Sequence, residues 1–241
     1  MYLVGFYGYG PGFYTMWDPT YVLVLAGVLL SMIASGMVHR SFANYSQIRS
    51  VSGLTGAEVA RRILSYAGIS DVSISHISGN LTDHYNPKTR DVGLSDSVYG
   101  SNSVAAIAVA AHECGHVIQH ANSYVPLRIR SALVPVANFG SGASWFVIIA
   151  GIIFSMPPLV TLGILLFSAA VLFQVVTLPV ELNASRRALG ILQDTGILAP
   201  GENQGAKRVL RAAAFTYVAS AAAAILQLLR LIILFGRNNR D

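Results

Sequence analysis

Hydrophobic and polar positions in this chain fall into blocks rather than mixing evenly. Residues 21–38, 133–156, 159–180 and 212–235 are apolar runs of 18 to 24 residues, and the first three contain no charged side chain. About 20 apolar residues in a helix cross the roughly 30 Å of bilayer hydrocarbon, so each run is about long enough to span it. Pro157-Pro158 breaks the second run from the third, which predicts a helical hairpin. The last run is rich in alanine, and small residues of this kind let helices approach closely in lipid. Arg230 near its end is expected to snorkel or to face protein. A buried alanine-rich helix is the other reading of that run.

The polar blocks carry shorter periods. Thr55-Gly56-Ala57-Glu58 is a capping-box signature, with Val59, Ile63 and Leu64 as the apolar face of a helix running to about Ala67 and stopping at Gly68. Residues 71–75 alternate as a short strand does. Residues 80–85 and 91–94 flank Asn86-Pro87, a turn signal, and predict a β-hairpin. Alanine, valine and isoleucine fill residues 103–119, as a buried helix requires; it starts near Ser101 or Ser103 and frays by Asn122. After the apolar hairpin comes a polar insert, 181–211, which looks helical from Glu181 onward. The expected fold class is a mainly α integral membrane protein with about four transmembrane helices and a small α+β cytoplasmic domain. Its divisions are a segment 1–20, a first span 21–38, the domain 39–131, the hairpin 132–180, the insert 181–211, a last span 212–236 and a tail 237–241.

Composition sharpens this picture. Hydrophobic residues make up 54% of the chain and charged ones 11%, against a usual charged share of about a quarter. Lipid is therefore the solvent for part of the molecule. The formal net charge is +5, but the basic residues form no aromatic-studded patch, which argues against a nucleic-acid partner. Instead 13 of the 16 lysines and arginines lie between residues 39 and 211, on one side of a four-span chain. The positive-inside rule makes that side cytoplasmic, with both termini outside. Residues 1–20 are aromatic and glycine-rich without lysine or arginine, so they lack the basic start of a signal peptide and suit a membrane interface. Cys114 is the only cysteine, so no intrachain disulfide forms.

Within the buried helix stands His112-Glu113-Cys114-Gly115-His116. Residues four apart share a helix face, so His112 and His116 can hold one metal ion, and Glu113 beside them can take a proton from a metal-bound water. With six histidines and four glutamates in the chain, chance matches to this pattern number on the order of a few per thousand chains, so coincidence is a poor account. Cys114 turns away from both histidines and reads as a packing residue.

Hydrolytic zinc usually takes three protein ligands and a water. His120, one turn beyond His116, lies roughly on the same face and is a third ligand or a hydrogen-bonding neighbour, but three histidines on successive turns diverge too far to share an ion comfortably. A carboxylate suits better. Of the four glutamates, Glu58 is taken by the capping box and Glu202 sits in the Pro200-Gly201 loop. Two membrane crossings after the motif return the chain to its starting side, which brings Glu181 to the membrane surface beside the histidines. An interfacial Glu181 paired with an arginine is the structural alternative. With Zn2+ on His112, His116 and Glu181, Glu113 serves as general base, and the chemistry is peptide hydrolysis without a covalent enzyme intermediate. His84, Tyr85, His120, Arg186 and Arg187 are candidates to stabilise the oxyanion or support the site, with the choice among them open. The 80–94 hairpin offers an edge strand on which an extended peptide can pair.

Thr55-Gly56-Ala57-Glu58-Val59-Ala60, Leu81-Thr82-Asp83-His84-Tyr85, the His112–His116 motif with Gln119-His120, and the stretch from Glu181 to Arg187 together resemble the YugP-type neutral zinc metallopeptidases of prokaryotes. The resemblance runs through most of the chain, including the placing of the apolar runs. It implies a membrane-embedded zinc metallopeptidase of the gluzincin type, with a zincin-like domain and a downstream glutamate completing the metal site. More distantly, Glu181-Leu182-Asn183-Ala184-Ser185 is similar to the Glu-x-x-Ala-Asp stretch of HtpX-like and CAAX-processing membrane peptidases, with Ser185 where those have aspartate. The expectation is a zinc endopeptidase in a prokaryotic cell membrane, its active site facing the cytoplasm. Its partners are a protein or peptide substrate and the bilayer, with homo-oligomerisation open, and its role is membrane-protein quality control. The competing readings are an inactive zinc-binding membrane scaffold and a metal transporter; the transporter wants ionisable residues within the spans, and the first three have none.

Overall fold

The computed structural model describes residues 18–235. All but the end of the expected segment 1–20, and the whole tail 237–241, lie outside these residues. In chain order the elements are α1 (Tyr21–Ser46), α2 (Gly56–Tyr66), β1 (Ser73–Ile77), β2 (His84–Asn86), β3 (Asp91–Ser95), α3 (Val104–Ala121), α4 (Val125–Ile153), α5 (Pro157–Asp194) and α6 (Pro200–Phe235). Helices α1, α4, α5 and α6 are long and apolar enough to cross a membrane, one for each apolar run. The mainly α membrane architecture with a small sheet is as expected.

These four helices overrun the apolar blocks, because leaving lipid does not end a helix when protein is there to receive it. At about 1.5 Å per residue, the 38 residues of α5 reach about 57 Å, well beyond the roughly 30 Å hydrocarbon layer. The excess packs on the polar domain: Ala188 and Leu192 of α5, with Ala206, Val209 and Leu210 of α6, join the core built by α2, α3 and β3. Glu181 therefore does not open a new helical segment. It lies inside α5, which continues through Pro179. Likewise α1 runs past His39-Arg40 so that Phe42 and Tyr45 can pack against the same core. Gly205 lets α6 meet Tyr45 there, since a Cβ at that position would lie 2.7 Å from its ring.

Local signals placed the smaller elements well. Thr55 caps α2 through its side chain, which accepts from the Glu58 amide, while Glu58 accepts from the Thr55 amide at 2.8 Å. Gly68 follows with a positive φ of 70°. Ser103 caps α3, its hydroxyl accepting from the Ala106 amide at 3.2 Å. The sheet has the order β1-β3-β2, with β1 parallel and β2 antiparallel to β3. The hairpin is present but its first strand is shorter than expected and shifted, spanning His84–Asn86, so that Asn86 pairs with Asp91 rather than turning. Residues 78–83 are held instead by loop contacts: Asp96 accepts from the Gly79 amide and Asp83 from the Ser95 amide, each at 2.8 Å.

Two close contacts fix the membrane helices. Gly140 of α4 approaches the Leu166 carbonyl of α5 so nearly that a Cβ would stand 2.8 Å from its oxygen. Arg230 faces protein, with Nη2 3.5 Å from Asp18 Oδ2 and its guanidinium 4.2 Å from the Tyr21 ring centre. Glu202 is helical rather than a loop residue. Its carboxylate accepts from the Val51 and Ala199 amides, each at 2.8 Å, which ties the α1–α2 connection to the start of α6.

Candidate metal centre

Helix α3 is buried along nearly its whole length, and its alanines let α2, α5 and α6 close around it. It crosses α5 where Gly115 meets Ala184, and a Cβ on Gly115 would lie 2.5 Å from the Ala184 carbonyl oxygen. Within one turn of that crossing stand the ligand candidates. His112 Nε2 is 3.2 Å from Glu181 Oε2, and His116 Nε2 is 3.5 Å from the same oxygen. The two imidazoles meet edge to face, with centres 4.8 Å apart. One ligand atom from each of His112, His116 and Glu181 lies within 4.8 Å of the others, a group able to hold a metal ion.

The far side of each imidazole is also engaged. His112 Nδ1 is 3.1 Å from Ser185 Oγ, so the serine can orient this ring where the related pattern has aspartate. His116 Nδ1 is 3.0 Å from Gln119 Oε1, and Gln119 Nε2 donates to the Val180 carbonyl at 2.8 Å and to Asn183 Oδ1 at 3.0 Å. With Nδ1–H donating, both rings present Nε2 toward Glu181, the tautomer that ligation needs. Burial alone would favour a neutral His116, yet the Glu181 and Glu113 carboxylates outweigh it and raise its pKa. Such a pocket attracts a cation, and two imidazoles plus one carboxylate make a donor set that suits zinc with a position left open.

Glu113 is buried, 8% exposed, and enters no ion pair among the described residues. Its carboxylate is thus uncommitted beside the ligand group. Cys114 turns the other way, its thiol toward the Ala60 carbonyl, and burial pushes its pKa up, so it stays an inert packing group.

The remaining candidates divide. Tyr85 and His120 join each other, hydroxyl to Nδ1 at 2.8 Å, and pin β2 to the end of α3. Burial raises the Tyr85 pKa, which keeps its O–H available as a donor. His120 thus stands outside the ligand group, as its position one turn too far along suggests. His84 is exposed and its Nδ1 lies 3.0 Å from the Thr82 carbonyl. Arg187 Nε donates to Asn183 Oδ1 at 2.8 Å, so it acts on the group only through the Gln119 network. Arg186 is exposed and makes no hydrogen bond or ion pair with the group. Four neighbours escaped the sequence reading: Gln119, which meets His116, Asn183, which accepts from Gln119, Arg130, whose Nη2 lies 3.7 Å from Glu181 Oε1, and Tyr217. Tyr217 of α6 lies beside Glu181 and Glu113. Gln119 was legible in principle, since it shares a helix face with His116; Arg130 and Tyr217 come from distant helices with no shared motif.

A family model described as "Putative neutral zinc metallopeptidase" matches residues 20–236. The "Putative membrane protease YugP" of Bacillus subtilis (strain 168) is 46% identical over 219 residues, covering 91% of this chain and 97% of its own length. No solved structure matches the chain. The resemblance read from the sequence holds over nearly the whole molecule; zinc is the metal the family implies, and His112, His116 and Glu181 form a group able to hold a metal ion. A membrane protein whose one buried motif helix meets a distant glutamate in this way, with a match of that extent, belongs to the neutral zinc metallopeptidase family.

Proposed function

We propose that this protein is a membrane zinc endopeptidase working at the cytoplasmic surface of a prokaryotic cell membrane, on membrane proteins and on unfolded segments near the bilayer. The observation that carries this reading is the convergence of two imidazoles and Glu181 beside a buried, unpaired Glu113. His112, His116 and Glu181 would hold the ion, and Ser185 and Gln119 orient the two rings. Zinc, when bound, polarises the scissile carbonyl and acidifies the attacking water. Glu113 accepts the proton of that water and returns it to the leaving amine nitrogen as the C–N bond breaks. The edge strand β2, next to α3, offers its free backbone edge to an extended peptide.

Position supports the choice of substrate. Glu181 immediately follows the apolar run 159–180, Arg130 precedes the run 133–156, and Tyr217 lies early in the run 212–235. The site is therefore walled by the ends of three membrane helices, at the depth where a juxtamembrane segment lies. That placement suits removal of damaged membrane proteins.

Two measurements test the reading. The purified protein in detergent should cut unfolded membrane and soluble proteins at internal bonds, identified by mass spectrometry of the fragments. Chelation should abolish cleavage and stoichiometric zinc restore it. Cleavage that survives complete metal removal rules the mechanism out. For orientation, Asn203→Cys at the start of α6 should resist an impermeant thiol reagent on whole cells, while Ser155→Cys in the α4–α5 turn should react. The opposite pattern reverses the topology.

A further inference from the structure

Arg130 stands on α4 just before the apolar run begins, and it is only partly engaged. Its Nη2 is 3.7 Å from Glu181 Oε1, beyond hydrogen-bond range. Its Nε is buried and makes no hydrogen bond among the described residues. The side chain as a whole is nonetheless 31% exposed, so part of it can be reached from outside although Nε itself is covered. A buried N–H without an acceptor is costly, and native structures rarely leave one unspent. Glu181 does not supply the acceptor, because Oε2 faces the two imidazoles and Oε1 is too far.

The other basic and hydroxyl groups nearby have less to offer. Tyr85 and His120 bond each other, His84 is turned to the Thr82 carbonyl, Arg187 is held by Asn183, and Tyr217, beside Glu181 and Glu113, offers a hydroxyl but no fixed positive charge. Arg130 alone among these combines a fixed charge, an unspent donor and proximity to the ligand carboxylate. When water adds to the scissile carbonyl, the C–O bond forms and the carbonyl π electrons move onto oxygen, which becomes anionic. A cation already fixed beside that oxygen stabilises this state more than the neutral carbonyl before it.

We propose that Arg130 donates to the scissile carbonyl oxygen as it becomes anionic. This rests on the peptidase reading above. Glu181 keeps the guanidinium in place through its long-range charge, and the forked donors of arginine serve an oxygen better than the point charge of lysine.

The test uses the zinc-loaded, full-length protein with Arg130→Met and Arg130→Lys, and an amidated peptide cut internally. A phosphinic analogue of that peptide, whose anionic oxygens mimic the tetrahedral species, supplies a second readout. Arg130→Met should lose about 100- to 1000-fold in kcat. Zinc content should be unchanged and KM should stay within about threefold. Affinity for the phosphinic analogue should fall in step with kcat/KM, and Arg130→Lys should recover part of both. If Arg130→Met instead loses zinc or melts earlier, with analogue affinity tracking the metal content, Arg130 is only an anchor for Glu181 and the proposal falls. A penalty confined to peptides with a free terminal carboxylate also overturns it, assigning the charge to that end of the substrate. Equal activity of Arg130→Met and wild type sinks this inference alone. A zinc-loaded wild type that neither cleaves nor binds the analogue sinks the peptidase reading with it.

Discussion

Gly115→Ala should cut kcat/KM by about 100-fold, the effect of displacing a reacting group by roughly 1 Å. The reason lies at the α3–α5 crossing. The new methyl carbon would stand 2.5 Å from the Ala184 carbonyl oxygen, against an ordinary contact of about 3.5 Å. The clash is with backbone, so no rotamer change relieves it, and the helices must separate by roughly that difference. His112 and His116 lie on one helix and Glu181 on the other. Separation therefore opens the ligand group directly, and zinc affinity should drop with activity. Overpacking of this kind also costs about 1–3 kcal/mol of stability. Gly190→Ala, on the same α5 helix but with nothing within 4 Å of the new carbon, is the control. It should be neutral or stabilising by about 0.5–1 kcal/mol, as alanine usually is in a helix interior. A Gly115→Ala protein with full zinc and full activity would show that the crossing does not set the ligand geometry.

How much of this was legible beforehand follows from the range of each interaction. The capping box at Thr55, the cap at Ser103 and the four apolar runs are local patterns, and each appears where the residues indicate. Glu181 was reachable because topology and a count of four glutamates left few competitors, and its carboxylate does meet both imidazoles. What escaped is non-local. Hydropathy reports where lipid ends and not where a helix ends, so the polar extensions of α1, α5 and α6 into the shared core were invisible. The first hairpin strand was misplaced because Asn86-Pro87 is a turn signal, yet Asn86 still pairs with Asp91. Arg130 lies 51 positions from Glu181 in the chain, and no spacing rule links an arginine on one membrane helix to a carboxylate on the next. Ser185 is an instructive middle case. It departs from the related Glu-x-x-Ala-Asp pattern, yet its shorter side chain still reaches His112 Nδ1 at 3.1 Å.

Glu113→Gln should retain zinc and lose about 10²- to 10⁴-fold in kcat, the usual contribution of a general acid–base group. The amide preserves the size of the side chain, so the packing of a residue only 8% exposed is barely disturbed. None of the three ligand candidates is altered, so bound metal should remain stoichiometric by elemental analysis. What disappears is a carboxylate free to accept a proton, and a neutral amide cannot replace it. The substitution separates the peptidase from a zinc-binding scaffold, because a scaffold needs the metal but not the base. It also separates the base from its neighbours. Glu113 lies close enough to His116 for its charge to help raise that ring's pKa, so the substitution eases deprotonation of the ring while it also removes a charge that attracts the cation. A variant that loses zinc along with activity would make Glu113 part of the metal's hold rather than the proton acceptor. One that keeps both would leave the hydrolysis without a base.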